Sequence, residues 1–116
     1  MQDWKKLETG AQLQALIKAS HERPQLIFKH SIRCGISAQA WDHTQGETRA
    51  LTAMAELHYL DLINFRSVSN AVADTLSVPH QSPQAILVRD GKAVYSASHF
   101  SIDVKAIIEA AQKVLQ

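Results

Sequence analysis

The order of predicted elements indicates an α/β fold in which a central four-stranded mixed sheet is flanked by helices. The hydrophobic pattern follows the order helix, strand, helix, strand, helix, hairpin and helix. A β-α-β unit places two strands in parallel, and the hairpin then adds two antiparallel ones. With 116 residues and no linker or repeat, the chain is expected to form a single domain over residues 1–116.

The first three elements are predicted from local patterns. Apolar residues at helical spacing predict a helix over residues 9–20, with Thr9 as its N-cap. Residues 25–30 form a short apolar run that predicts a buried strand. Residues 34–56 have helical character, and Gly46 is expected to break or kink this segment.

The middle of the chain continues the alternation. A second apolar run over residues 57–65 predicts a second strand. Residues 67–77 return to helical spacing, and Ser67 is a suitable N-cap. A loop with two prolines then separates this helix from the hairpin.

The hairpin and the final helix are the clearest predictions. Asp90-Gly91 is a typical two-residue hairpin turn between strands predicted at 85–89 and 93–97. Ser101 is a suitable N-cap for the last helix. The apolar residues of that helix follow i, i+3, i+4, i+7 spacing: Val104, Ile107, Ile108, Ala111, Val114 and Leu115.

Composition excludes several classes of function. The formal charge is +1 and no basic run occurs, so no nucleic-acid partner is expected. No apolar segment has the length of a membrane span, and the N-terminus lacks the apolar part of a signal peptide. The single cysteine rules out an internal disulfide and is typical of a reducing compartment. A cytoplasmic protein without a membrane partner is therefore predicted.

That single cysteine is the best candidate for a reactive group. Cys34 lies four residues past the strand predicted at 25–30, where a helix begins. The unpaired N–H groups and the positive dipole end of a helix N-terminus favour thiolate over thiol, and thiolate is the nucleophile. The alternative is a buried structural cysteine, the commoner fate of this residue type. The neighbours Arg33 and Gly35 are not apolar, which favours the catalytic interpretation.

Two residues near Cys34 are candidates for stabilising its thiolate. Ser37 falls one helical turn after Cys34, so its hydroxyl could donate to the sulfur; alternatively it is only an early helix residue. Arg33 adds a positive charge beside the thiol and could attract a substrate carboxylate, or it is an unpaired loop arginine.

The element order, with a cysteine after the first core strand and a proline just before the hairpin, resembles the thioredoxin fold. Within that fold the chain resembles the YtxJ-like family, the monothiol bacilliredoxins. Cys34-Gly-Ile-Ser37 also looks like the Cys-Gly-Phe-Ser motif of monothiol glutaredoxins. The segments that carry the resemblance are Phe28-Lys-His-Ser31, Arg33-Cys34, Ile36-Ser37, His80-Gln-Ser-Pro83-Gln, Asp90-Gly-Lys and Ala97-Ser-His99.

The resemblance implies a monothiol thiol-disulfide oxidoreductase. In dithiol relatives a second cysteine stands three residues after the first, and here that position is Ser37. Cys34 would attack a mixed disulfide between a protein and a low-molecular-weight thiol, which in this family is bacillithiol. The expected partners are therefore S-thiolated proteins and the small thiol, which acts as a co-substrate, with no bound cofactor.

The resemblance also implies a substrate groove. Pro83 is expected to have a cis peptide bond, because thioredoxin-like folds place a cis-proline against the active cysteine. Ser82 would then offer its backbone to an extended substrate. His80 is expected to line the groove, or to stabilise the thiolate as an imidazolium. The substrate-binding set is Ser31, Ile32, Gly35, His80, Ser82 and Pro83. Gly35 departs from the family pattern, which usually has proline there.

Other functions remain open from the sequence. His30, His80 and Cys34 could in principle bind zinc, but no pair has a motif spacing, so no metal site is predicted. An iron–sulfur carrier is a further alternative. A cluster usually takes four thiolates, and the two Cys34 residues of a dimer supply only half of them, so two small thiols would also be needed. A non-catalytic module that binds peptides in the same groove is the third.

Overall fold

The computed structural model describes residues 3–114, which contain both strands and helices. A short 3-10 turn, His99–Ser101, precedes the last helix. Leu115, assigned above to that helix, lies outside the described residues. The strands are β1 Trp4–Lys6, β2 Gln25–His30, β3 Glu56–Asp61, β4 Gln84–Arg89 and β5 Lys92–Ser98, and the helices are α1 Gly10–Ala19, α2 Gly35–Gln45, α3 Thr48–Thr52, α4 Arg66–Leu76 and α5 Val104–Val114.

The predicted α/β fold is confirmed, but the sheet differs from the predicted one by a strand. Within residues 3–114 five strands, not four, form one sheet of order β1-β3-β2-β4-β5. β1, β2 and β3 are parallel, whereas β4 and β5 are antiparallel to their neighbours. The prediction missed β1 because three residues carry no readable periodicity. Its position depends on pairing with β3, where Trp4 lies opposite Leu57.

Two predicted segments have different bounds. The helical region 34–56 is divided into α2 and α3, with Gly46 at the C-cap of α2, so the predicted break is confirmed. The strand predicted over 57–65 ends at Asp61. The N–H of Phe65 donates to the carbonyl oxygen of Asp61 at 3.0 Å, and this turn leads directly into α4. Apolar residues 62 and 65 therefore belong to a turn rather than to the strand.

The predicted N-caps had mixed outcomes. Thr9 caps α1 in a capping box: its hydroxyl accepts the N–H of Gln12, and the Gln12 side chain accepts the N–H of Thr9. Ser67 lies inside α4 and does not cap it. Ser101 lies in the 3-10 turn, and the carboxylate of Asp103 instead accepts the N–H of Lys105 at the start of α5. Both wrong predictions misplaced a helix start by a few residues.

The hairpin turn is confirmed in detail. Asp90 and Gly91 both have positive φ, 55° and 75°, as a type I′ turn requires. Arg89 pairs with Lys92 across the turn. The N–H of Gly91 also donates to the Ser20 hydroxyl at 2.9 Å, which joins the turn to the end of α1.

Helices cover both faces of the sheet. One face carries a buried cluster with α2, α3 and α5, and the other a cluster with α1 and α4. The first cluster includes Trp4, Leu26, Phe28, Trp41, Leu57, Leu87 and Ile107, and the second includes Leu13, Leu16, Ile27, Leu60, Val72 and Ile86.

None of the helices described in residues 3–114 is long and apolar enough to cross a membrane.

Three loops meet at one end of the sheet. β2 ends at His30 shortly before Cys34, and β3 ends shortly before α4. β4 runs in the opposite direction, and its first residue, Gln84, pairs with Lys29 near the end of β2. Pro83, just before β4, therefore lies at the same sheet end as Cys34. The topology places the cysteine loop beside the proline loop, as an active site would require.

A buried histidine in β3, His58, makes the stability of the protein depend on pH. The Nε2 of His58 lies 2.7 Å from the Oε1 of Gln25. Burial, with a smaller effect from Lys5, lowers the pKa of His58 to about 4. The folded protein therefore keeps this ring neutral while the unfolded chain protonates near pH 6.5, so stability falls as pH falls from 7 toward 4.

We expect the His58→Gln variant to lose part of this pH dependence. Between pH 7 and pH 4, titration of His58 changes the free energy of unfolding by at most about 3 kcal/mol. Urea unfolding at pH 7 and pH 4.5 measures the difference, and His43→Gln is the control because His43 is exposed. An unchanged pH dependence in His58→Gln would show that this ring protonates freely in the folded protein.

Candidate active site

Cys34 is the N-cap of α2, as predicted. Its N–H donates to the carbonyl oxygen of Ser31 at 3.1 Å, and its own carbonyl oxygen accepts the N–H of Ala38 at 3.0 Å. The side chain is a half-buried free thiol that makes no capping hydrogen bond. The sulfur therefore stands at the positive end of α2, where negative charge is stabilised, and it remains available for reaction.

The hydroxyl of Ser37 has partners other than the predicted thiolate. Ser37 is fully buried. Its Oγ accepts the N–H of Ser31 at 2.9 Å and lies 2.7 Å from Nδ1 of His30. These contacts join the end of β2 to the first turn of α2. The predicted hydrogen bond from Ser37 to Cys34 is thus replaced by one that holds the loop in front of the cysteine.

His30 completes this buried connection, a role that sequence reasoning missed. Its ring stacks on Trp41 with centroids 6.0 Å apart and an interplanar angle of 26°. Burial lowers the pKa of His30, although Asp61 and Asp42 act in the opposite direction. In a neutral ring, Nδ1 of His30 can accept a hydrogen bond from the Ser37 hydroxyl. The signal available in the sequence was His30, a polar residue at the end of a buried strand, with a second polar residue, Ser37, seven residues later.

We expect Ser37→Ala to destabilise the protein by about 1–3 kcal/mol, because the Ser31 N–H and the His30 ring would lose their buried partner. Urea denaturation measures the change. Ser67→Ala is the matched control, an exposed serine early in α4, and it should change stability by less than about 0.5 kcal/mol. Equal effects of the two substitutions would contradict the structural role of Ser37.

The peptide bond between Ser82 and Pro83 is cis, as predicted. Pro83 is buried, and its carbonyl oxygen accepts the N–H of His99 at 3.0 Å. Ser82 is half-buried, and its hydroxyl is a buried oxygen without a hydrogen-bond partner in the described residues. The proline loop is therefore anchored to the segment after β5.

Exposed residues surround the cysteine. Ile32 is 60% exposed, and Arg33 is also exposed and forms no ion pair within residues 3–114. A depression of about 200 Å³ extends from Ile36 on α2 to Phe100, which is 81% exposed. The apolar character of Ile36 and Phe100 at this surface was not part of the predicted site.

Comparison with known proteins agrees with this geometry. Residues 5–107 match the family described as monothiol bacilliredoxin BrxC. The chain belongs to this family. A bacilliredoxin is a thiol oxidoreductase of the thioredoxin fold, and Cys34 is the only cysteine of the chain.

Solved structures support the fold. A proposed oxidoreductase with a thioredoxin fold is 28% identical, with a TM-score of 0.80 and 94% of each chain covered. Fasciola hepatica thioredoxin is 20% identical, with a TM-score of 0.71, covering 95% of this chain and 98% of its own. Thioredoxin f from spinach chloroplast is 10% identical, with a TM-score of 0.73, covering 98% and 95%. The last two likenesses concern the fold alone.

No packing contact in the described residues requires glycine at position 35. A Cβ atom at this position would meet no atom within 4 Å, and the residue is exposed. The bacilliredoxin backbone thus leaves space for a side chain beside Cys34.

The surroundings of His80 disfavour its alternative role as an imidazolium that stabilises the thiolate. Partial desolvation of the exposed His80 ring lowers its pKa, and the positive charges of Lys29 and Arg66 lower it further, so a charged ring is disfavoured. Nor does it converge with His30. His80 contacts Lys29, and Lys29 and His30 are consecutive strand residues whose side chains point to opposite faces of the sheet. Among residues 3–114 no group of three metal-ligating side chains is close enough to hold a metal ion.

Proposed function

We propose that this bacilliredoxin removes a low-molecular-weight thiol from modified protein cysteines, and that this thiol is bacillithiol. The observation that carries the proposal is an accessible free thiol at a helix N-cap beside a cis-proline loop. Ser37, at the position of a resolving cysteine, is buried and bonded to His30. A single thiol must therefore perform the exchange.

The reaction proceeds in two exchanges. The Cys34 thiolate attacks the sulfur of the small thiol in a protein mixed disulfide. A new disulfide forms between Cys34 and the small thiol, the old one breaks, and the protein cysteine leaves as a thiolate that takes up a proton. A second small thiolate then attacks the small-thiol sulfur of the adduct, which releases a symmetrical disulfide and restores the Cys34 thiolate.

The remaining predictions belong to the same proposal. The partners are S-thiolated proteins and the small thiol, which is a co-substrate, with no resident cofactor and no metal. The backbone of Ser82 pairs with the substrate, whereas Arg33 attracts a carboxylate or the thiolate. The reaction takes place in the cytoplasm, because a single unpaired cysteine is typical of a reducing compartment. Residues Ser31, Ile32, Gly35, His80 and Pro83 line the groove.

Transfer of the adduct is the direct test. A substrate protein carrying one bacillithiol disulfide is mixed with the reduced bacilliredoxin under single-turnover conditions. Intact mass spectrometry should show the adduct leaving the substrate and appearing on Cys34, in equal amounts. The same substrate with glutathione or coenzyme A adducts tests the choice of thiol. Transfer no faster than exchange with a free thiol, for all three adducts, would overturn the proposal.

A further inference from the structure

Lys29 is a fully buried lysine beside the proposed site that the reaction above does not use. It lies in β2, and its Nζ donates to the carbonyl oxygen of Ser69 at 3.1 Å. The same atom lies 3.3 Å from Nδ1 of His80. No carboxylate lies within 4 Å of it among residues 3–114. Burial lowers the pKa of Lys29 to about 8, which leaves it mostly charged at neutral pH.

The contact with Lys29 determines the state of the His80 ring. An ammonium group has only donors, so Nδ1 of His80 must accept. The hydroxyl of Ser69 lies 3.3 Å from the same nitrogen and offers a second donor. These two donors favour a neutral His80 ring with its proton on Nε2. Because His80 is exposed, its Nε2–H is a donor available to a bound molecule.

Side chains of the sheet bind the loop that carries His80. Lys29 and Gln84 are directly paired on β2 and β4, so their side chains lie on the same face. The Gln84 amide donates to the carbonyl oxygen of Pro79 at 3.1 Å, one residue before His80. Two buried side chains thus fix consecutive residues of the loop that ends at the cis-proline.

We propose that Lys29 is a positioning residue, which holds His80 so that its Nε2–H donates to a carboxylate of the small thiol. The charge of Lys29 has no carboxylate partner nearby, and α4 begins three residues before Ser69, so the local potential favours an anion. His80 makes the contact, whereas Lys29 acts through it. This inference rests on the proposed function and names the part of the small thiol that the groove recognises.

The first test observes the ring directly. In Lys29→Met the side chain keeps most of its length, one atom shorter, and loses its charge. Nitrogen chemical shifts of the His80 ring should show the Nε2–H tautomer in the wild type. In the variant they should show mixed tautomers, with a titration midpoint moved upward toward that of ordinary histidine. His58 is the internal reference, because it lies on a different contact network. An unchanged His80 tautomer and midpoint would overturn the inference.

The second test compares two adducts that differ only in charge. Substrate proteins carry 3-mercaptopropionate or its amide, and the KM of dethiolation is measured for each. The wild type should prefer the carboxylate adduct. Lys29→Met and His80→Phe should both lose this preference, because the KM for the carboxylate adduct should rise about tenfold, the effect of one charge-assisted hydrogen bond. Lys92→Met, at the exposed far end of the β4–β5 hairpin, is the matched control.

The outcomes separate the two proposals. Equal carboxylate preference in the wild type and both variants would overturn the role of Lys29 and His80 and leave dethiolation standing. If Lys29→Met does not fold, His80→Phe tests the recognition alone, since its side chain is on the surface. A wild-type protein that dethiolates neither substrate would contradict the proposed function, whereas the ring measurement would still decide whether Lys29 holds His80.

Discussion

Replacement of Cys34 by serine is expected to abolish transfer of the small thiol. A hydroxyl cannot form the mixed disulfide, and the chain has no other cysteine. Stability should change by less than about 1 kcal/mol, because the site is a half-buried N-cap and serine is a good N-cap residue. A dethiolation assay and urea denaturation measure the two effects.

A second variant, Cys34→Ala, separates the sulfur from the cap. Alanine removes the thiol as serine does, but it cannot accept a first-turn N–H group, so it should be less stable than the serine variant by about 1 kcal/mol. Loss of several kcal/mol in both variants would indicate a structural cysteine. Full dethiolation activity in either variant would contradict the proposed mechanism.

Replacement of Ser37 by cysteine is expected to convert the protein to a dithiol enzyme. The new thiol would stand three residues after Cys34 in the first turn of α2, a spacing that brings two sulfurs within bonding reach at a helix start. It would attack the Cys34 adduct and release the small thiol, which leaves an internal disulfide. Intact mass spectrometry should show a loss of two hydrogens and no adduct.

This conversion has a structural cost. The Ser37 hydroxyl bonds the Ser31 N–H and the His30 ring, and a thiol replaces it poorly, so stability should fall by about 1–3 kcal/mol. Gln39→Cys is the control, because Gln39 is exposed on the same helix at a different angle. That variant should retain the adduct on Cys34. A persistent adduct in Ser37→Cys would show that residue 37 cannot reach the cysteine.

Local features of this protein were predictable. The helix at Thr9 and the Asp90-Gly91 turn depend on contacts within a few residues, so their patterns predicted them. Cys34 was found at a helix start for the same reason, since an N-cap is defined by its neighbours along the chain. The short strand β1 was not predictable, because only pairing with β3 makes it a strand.

The fold class, the hairpin and the position of the reactive cysteine were thus predictable from the sequence. The surroundings of that cysteine depend on tertiary contacts. Ser37 bonds His30 rather than the thiol, and Lys29 reaches a carbonyl 40 residues away and a histidine 51 residues away. Such contacts depend on which faces of strands, helices and loops meet, and a periodic pattern marks a buried face without naming the partner that packs against it.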